Sequence, residues 1–310
     1  MVMIMKPSLK VKIGKLRLEN PVMVASGTFG YAEEFKELVD LGRLGAVVTK
    51  TITLKPRQGN PPPRTCETPA GMLNSIGLEN PGLDKSIEEK LPFLKKIGIP
   101  IIVSIASEGD ADEFIMLSKR LDKIKEAAAI ELNISCPNIK SQIAKFIAQD
   151  AKATYDLVKM VRKMTDKTLI TKLSPNVTDI TEIARAAESA GSDALSLINT
   201  LTGMSVDVTT RKPKIAAVTG GLSGPAIRPV AVRMVWEAYQ KIKVPIIGMG
   251  GIMDTQSALE FFIAGASAVA IGTANFVNPK TTTEIISGLK HYLLENRISD
   301  IKELTGNLRI

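Results

Sequence analysis

One histidine, two cysteines and 4% aromatic residues are all that 310 residues hold of the side chains used for imidazole catalysis, thiolate clusters and base stacking. The histidine, His291, stands near the C-terminus. This argues against a Ser-His-Asp hydrolase, a zinc site with several histidine ligands or a histidine relay. Cys66 and Cys136 cannot make a disulfide framework or a four-thiolate cluster. The scarcity of aromatics gives nucleobases no stacking platform. No apolar run approaches the ~20 residues that span a bilayer, and residues 1–10 lack the apolar centre of a secretory signal. A cytoplasmic protein is therefore expected, with no membrane span and no metal site.

What is present is ordinary for a globular chain: 45% hydrophobic and 23% charged residues, enough for a sizeable core. Lys and Arg exceed Asp and Glu by 40 to 32, a formal charge of +8. The bases are spread along the chain rather than clustered, so no nucleic-acid partner is expected.

Short β-branched runs recur, each bounded by Gly, Pro, Asn or Ser. Eight strands are predicted at Pro21–Ala25, Ala46–Thr49, Ile101–Ile105, Ile130–Asn133, Leu169–Lys172, Ala194–Ile198, Pro245–Gly248 and Ala268–Ile271. Their nearly uniform apolar character suits strands buried on both faces of a parallel sheet. Segments of helical period alternate with them: Tyr31–Leu41, Ser86–Ile97, Asp110–Ala127, Ala148–Met164, Ile180–Ala190, Ile227–Ile242 and Gln256–Ala264. This is the pattern of an α/β protein of the (β/α)8 TIM-barrel type, a single domain over residues 1–310. Two connections are long, Ile52–Pro100 after the second strand and Thr200–Arg228 after the sixth.

Barrel enzymes react at the C-terminal ends of the strands. At those ends stand Ser26, Lys50-Thr51, Ser104, Asn133 with Cys136, Lys172, Asn199-Thr200, Gly250-Gly251 and Gly272-Thr273. A lysine leaving an apolar strand calls for an anion or an electron-rich ligand, or else for a structural carboxylate. The glycines after the seventh and eighth strands, with Gly220-Gly-Leu-Ser-Gly224, suit a phosphate held by backbone N–H groups, although tight turns use the same residues. Cys136, among Asn133, Ser135 and Asn138, is read as a base or nucleophile. Cys66, in a proline-rich stretch, is read as a small buried side chain. Amides donate and accept, so Asn74, Asn133 and Asn199 suit a ring with alternating C=O and N–H groups. Asn80-Pro-Gly82 is read as a turn.

These motifs carry a resemblance. Ser26-Gly-Thr-Phe-Gly30, Lys50-Thr51, Asn74-Ser-Ile-Gly-Leu78, Asn133-Ile-Ser-Cys-Pro-Asn138, Lys172-Leu-Ser-Pro175, Asn199-Thr200 and Gly221-Leu-Ser-Gly-Pro-Ala226 are among them. With Gly250-Gly251 and Gly272-Thr273, they make the chain resemble the class 1 dihydroorotate dehydrogenases over almost its full length. The opening motif and Asn80-Pro-Gly82 are most similar to the 1B, NAD-linked branch. The resemblance implies oxidation of dihydroorotate to orotate in pyrimidine biosynthesis, with FMN as cofactor. Cys136 would take the C5 proton, and the C6 hydride would pass to the flavin. It implies that Lys50 touches substrate and flavin, and that Lys172 stabilises charge on the reduced flavin. Asn74, Ser75, Ile76, Gly77, Leu78, Asn133, Asn199 and Thr200 would hold the substrate. Ser26, Thr51, Ser104, Ile198, Gly224, Gly250, Gly251, Gly272 and Thr273 would hold FMN together with Lys50, Asn133 and Lys172. At Ser104 many relatives carry asparagine. In the 1B branch a homodimeric core joins a subunit carrying FAD and a [2Fe–2S] cluster, making a heterotetramer. Two cysteines cannot hold such a cluster here, so the resemblance implies that partner. A fumarate-linked 1A enzyme, another FMN-barrel pyrimidine reductase and an RNA-binding protein are the alternatives.

Overall fold

The computed structural model describes residues 6–107, 111–134 and 147–310. A hairpin of β1 (Val11–Ile13) and β2 (Leu16–Leu18) leads the chain. Its buried Ile13 and Leu18 face the bottom of the molecule, where the Lys15 N–H donates to Thr168 Oγ1 at 2.9 Å. The barrel opens with β3 (Val22–Val24) and β4 (Ala46–Val48). The first long connection carries β5 (Thr65–Thr68) and β6 (Gly71–Asn74). Then follow β7 (Ile101–Ile105), β8 (Ala127–Asn133), β9 (Thr168–Lys172) and β10 (Ala194–Leu197). The second long connection carries β11 (Leu201–Met204), β12 (Val206–Asp207), β13 (Lys212–Pro213) and β14 (Thr219–Ser223). The strands β15 (Ile246–Gly248) and β16 (Ala268–Ile271) complete the set.

The eight strands β3, β4, β7, β8, β9, β10, β15 and β16 close into a parallel barrel in chain order, as the alternation of apolar runs predicts. Nearly every residue in them is buried, because each strand has barrel interior on one face and helices on the other. Three of the barrel helices begin where side chains cap them. Asp150 accepts from the Ala153 N–H, Asp179 from the Thr181 N–H and Asp254 from the Ser257 N–H. The last helix of the barrel, Thr281–Glu295, was hidden in the sequence by three β-branched threonines at its start.

Two expectations change. Tyr31–Leu41 is not one helix; it holds only a 3-10 turn at Glu33–Phe35 and the start of another at Leu41–Arg43. Gly27, Gly30 and Ala32 take left-handed backbone angles there, and the buried side chains Phe29, Tyr31 and Ala32 are nearly adjacent rather than helically spaced. The two long connections are also more than loops. Strands from both form one antiparallel sheet in the order β11-β14-β6-β5, with Gly221 paired to Asn74 and Leu222 to Leu73. Segments some 150 residues apart thus build a single cover over one end of the barrel.

Candidate active site

A cavity of about 790 Å³ opens at the C-terminal ends of the barrel strands, beneath the four-stranded cover. That volume is typical of a site for a small ligand or cofactor. The strand-end residues Ser26, Lys50, Thr51, Asn133, Lys172, Ile198, Asn199 and Thr200 all line it. So do Asn74, Ile76, Gly77 and Leu78, which β6 and the turn after it bring in from above. Gly224, Gly250, Gly251, Gly272 and Thr273 close one end. Ser75 and Ser104 do not reach the lining. Ser75 Oγ accepts from Asn60 Nδ2 at 2.7 Å, and Ser104 lies one hydrogen bond behind Thr51. Cys136, Ser135 and Asn138 lie outside the described residues.

Lys172 ends β9 and is 5% exposed. Its ammonium donates to Ser26 Oγ at 3.0 Å. Among the described residues it has no carboxylate partner, so the structural ion pair that could have explained a buried lysine is absent. The charge therefore faces the cavity, where an electron-rich or anionic group is favoured. Lys50 follows β4, anchored through its backbone N–H to the Gly30 carbonyl at 2.9 Å.

The amides on the cavity floor are joined. Asn199 Nδ2 donates to Asn133 Oδ1 at 3.3 Å, and Asn133 Nδ2 donates to Thr51 Oγ1 at 3.1 Å. Thr51 Oγ1 meets Ser104 Oγ at 3.0 Å, and Ser104 Oγ donates to Glu131 Oε1 at 2.9 Å. Sequence reasoning passed over Glu131, although a charged residue between Ile130 and Leu132 on an apolar strand was a visible signal.

At the glycine end, Gly251 has φ +74°. A Cβ there would stand 2.8 Å from the Gly224 carbonyl oxygen and 3.0 Å from the Arg228 nitrogen. The backbones of two loops thus approach more closely than a side chain permits, and the N-terminus of helix Thr255–Ala264 follows directly. The capping carboxyl of Asp254 is held below the usual carboxylate range, chiefly by the Ser257 hydroxyl and then by the Ser257 backbone N–H. Thr273 Oγ1 donates to Ser223 Oγ at 2.8 Å, tying the eighth strand end to the cover. Such a cradle of backbone groups and helix termini suits an oxyanion.

The residues fit a flavin nucleotide. The glycine cradle suits its phosphate, the cavity its ring system, and the Lys172 ammonium supplies buried positive charge to the same cavity. Asn80, read as a turn residue, is buried. Its Oδ1 accepts from the Thr53 and Gly82 N–H groups, and its Nδ2 donates to Thr53 Oγ1 and the Leu78 carbonyl. It holds the Asn74–Leu78 turn in place. Cys66 was expected to be buried. It lies instead half-exposed on β5, the edge of the cover, with its Sγ–H directed at the Glu67 carbonyl. An edge strand is covered on one side only, which the proline-rich context did not reveal.

A family model described as dihydroorotate dehydrogenase matches residues 8–293. The chain is 56% identical over 304 residues to a protein of Trichlorobacter lovleyi, covering 98% of this chain and 99% of that one. It is 55% identical over 302 residues to one of Desulforamulus reducens, covering 97% and 99%. With one of Geotalea uraniireducens it shares 53% over 303 residues, covering 98% and 99%. All three are called dihydroorotate dehydrogenase B (NAD(+)), catalytic subunit.

Proposed function

This chain belongs to the dihydroorotate dehydrogenase family, and from that premise we propose that it is the FMN-bearing catalytic subunit of an NAD-linked enzyme. Its reaction is the oxidation of dihydroorotate to orotate in pyrimidine biosynthesis. The observation that carries the finer reading is one cavity that joins a buried lysine, a cluster of asparagines and a glycine cradle.

The bound flavin supplies a two-electron acceptor for the hydride that leaves C6. The chain supplies the rest. Gly224, Gly250, Gly251, Gly272 and Thr273 would hold the phosphate end, and Ser26, Thr51 and Ile198 would line the space for the ring. Lys172, hydrogen-bonded to Ser26, places its positive charge where negative charge develops, an electrostatic role that costs no reorganisation during reaction. Asn74, Asn133, Asn199 and Thr200 grip the substrate's ring amides and carboxylate, and Lys50 adds charge to that grip. Cys136, three residues beyond Asn133 in sequence, takes the proton from C5 as its thiolate. A thiol has an unperturbed pKa of ~8.5, which a cationic neighbour lowers, and so suits a base role near neutral pH.

A partner subunit carrying FAD and a [2Fe–2S] cluster, assembled on a homodimer of this chain, would supply the route for electrons to NAD. The name "catalytic subunit" borne by the relatives supports a partner, and this chain's two cysteines cannot hold a cluster. No helix among the described residues is long and apolar enough to cross a membrane; a cytoplasmic site of action belongs to the same proposal.

The test is anaerobic reduction of the purified, FMN-loaded chain. Dihydroorotate should bleach the flavin absorbance, and NAD should be reduced only when the partner subunit is added. A chain that refuses FMN ends the cofactor assignment. Turnover with fumarate alone moves it to a partner-free enzyme.

A further inference from the structure

Glu131 stands in the middle of β8, a strand otherwise apolar until Asn133, and is 1% exposed. Its two carboxylate oxygens take different hydroxyls. Ser104 Oγ donates to Oε1 at 2.9 Å, and Ser196 Oγ donates to Oε2 at 3.1 Å. Among the described residues no lysine or arginine forms an ion pair with it. The barrel interior therefore holds an acceptor-only group whose partners are hydroxyls.

A hydroxyl has one proton to give. Ser104 gives its proton to Glu131, so towards Thr51 Oγ1, 3.0 Å away, it can only accept. Thr51, its proton spent, can only accept in turn, and Asn133 Nδ2 donates to it at 3.1 Å. This turns Asn133 Oδ1 towards Asn199, whose Nδ2 donates to it at 3.3 Å. Asn199 Oδ1 then receives the Thr200 N–H at 2.8 Å. One donor of each group from Asn199 to Ser104 thus points along a path that ends on Glu131.

We propose that Glu131 is a positioning residue. Through Ser104 and Thr51, its carboxylate holds the Asn133 amide with Nδ2 towards Thr51, the orientation that the Thr200 N–H supports from the other side through Asn199. A primary amide turned over has nearly the same shape and the opposite polarity, so packing alone discriminates weakly between the two orientations. An acceptor-only group at the end of a chain of single-proton hydroxyls discriminates well, because a reversed amide would break the Thr51–Ser104 bond. Ser104 is short enough to stand between Thr51 and the carboxylate. The inference rests on the reading of Asn133 and Asn199 as substrate contacts.

The experiment compares Glu131→Leu, Ser104→Ala, the double variant and Ser196→Ala, all FMN-loaded. Orotate affinity is measured by calorimetry, with flavin content and Tm recorded alongside. Ser196→Ala removes a hydroxyl from the carboxylate but leaves the path to Asn133 whole. Glu131→Leu, which removes the acceptor, and Ser104→Ala should each weaken orotate binding about tenfold, the double variant no further, and Ser196→Ala by less than about twofold. A structural role alone would weaken Ser196→Ala as much as Ser104→Ala and make the losses additive, and either result overturns the proposal. So does unchanged binding in Ser104→Ala. If Glu131→Leu does not fold, the contrast between the two serine variants decides. A wild-type chain that carries FMN but binds no orotate would overturn the substrate assignment itself, and this inference with it.

Discussion

Lys172 and Ser26 meet across the full width of the barrel. Lys172 ends β9 and Ser26 follows β3, four strands away in either direction round the closed sheet, yet Nζ and Oγ are 3.0 Å apart. A long extended side chain spans the mouth and ends on a hydroxyl rather than on a carboxylate, so its charge is left for a ligand.

Removing that charge should be felt in the chemical step more than in binding. Lys172→Ala is expected to slow flavin reduction by dihydroorotate by about 10²–10³-fold, the scale seen when a preorganised electrostatic donor is lost. Ser26→Ala, which keeps the ammonium but removes its anchor, should fall between the variant and the wild type. Anaerobic stopped-flow absorbance at saturating substrate reads both. Equal rates for Lys172→Ala and wild type would remove Lys172 from the mechanism.

Cys136→Ser replaces a base of accessible pKa by one that is hardly ever ionised. At neutral pH flavin reduction should slow by about 10²–10⁴-fold, the range attributed to general base catalysis. The residual rate should climb with pH beyond the range in which the wild type has levelled off. A pH series of single-turnover rates checks this, and unchanged rates would return Cys136 to a packing role.

Gly251→Ala should damage the phosphate end alone. The φ of +74° disfavours any side chain, and the new Cβ would press on the Gly224 carbonyl and the Arg228 nitrogen. We expect FMN affinity to fall by at least about tenfold, read by fluorescence titration of the apo chain. Unaltered FMN binding would show that this cradle holds nothing.

Asp254 caps the helix behind that cradle, and its carboxyl is held low by Ser257. A group with a depressed folded pKa stabilises above its unfolded value of ~3.9 and loses that contribution as pH falls through the folded value. Asparagine caps about as well without charge. Asp254→Asn should therefore lower Tm slightly at pH 7, and the difference should begin to shrink as the pH falls below about 4 and vanish only below the depressed folded value. A constant difference across a Tm series from pH 7 to pH 3 would contradict it.

Much of the molecule was legible one strand at a time. The runs Ala46–Val48, Ile101–Ile105 and Ala268–Ile271 appear where their uniform apolar character put them, since burial on both faces leaves no polar position to blur the signal. Lys50, Lys172 and Asn133 could be singled out because they interrupt or end such runs. The segment Tyr31–Leu41 was misread because left-handed turns at Gly30 and Ala32 are set by packing around Phe29 rather than by local spacing. Cys66 was misread because burial at a sheet edge depends on what lies beside it.

The chain's own sequence determined the barrel, the polar strand ends and the glycines after the seventh and eighth strands, because each is a local pattern of side-chain size, polarity and period. Only the tertiary structure decided what these parts face. It joined two remote connections into one cover, carried Lys172 across to Ser26 and aimed a path of hydrogen bonds from Asn199 to Glu131. Those relationships depend on distances between strands that are neighbours only once the barrel has closed. The shortage of histidine and cysteine excluded many chemistries from the outset, but the arrangement of lysine, amides and glycines around one cavity is a property of the fold.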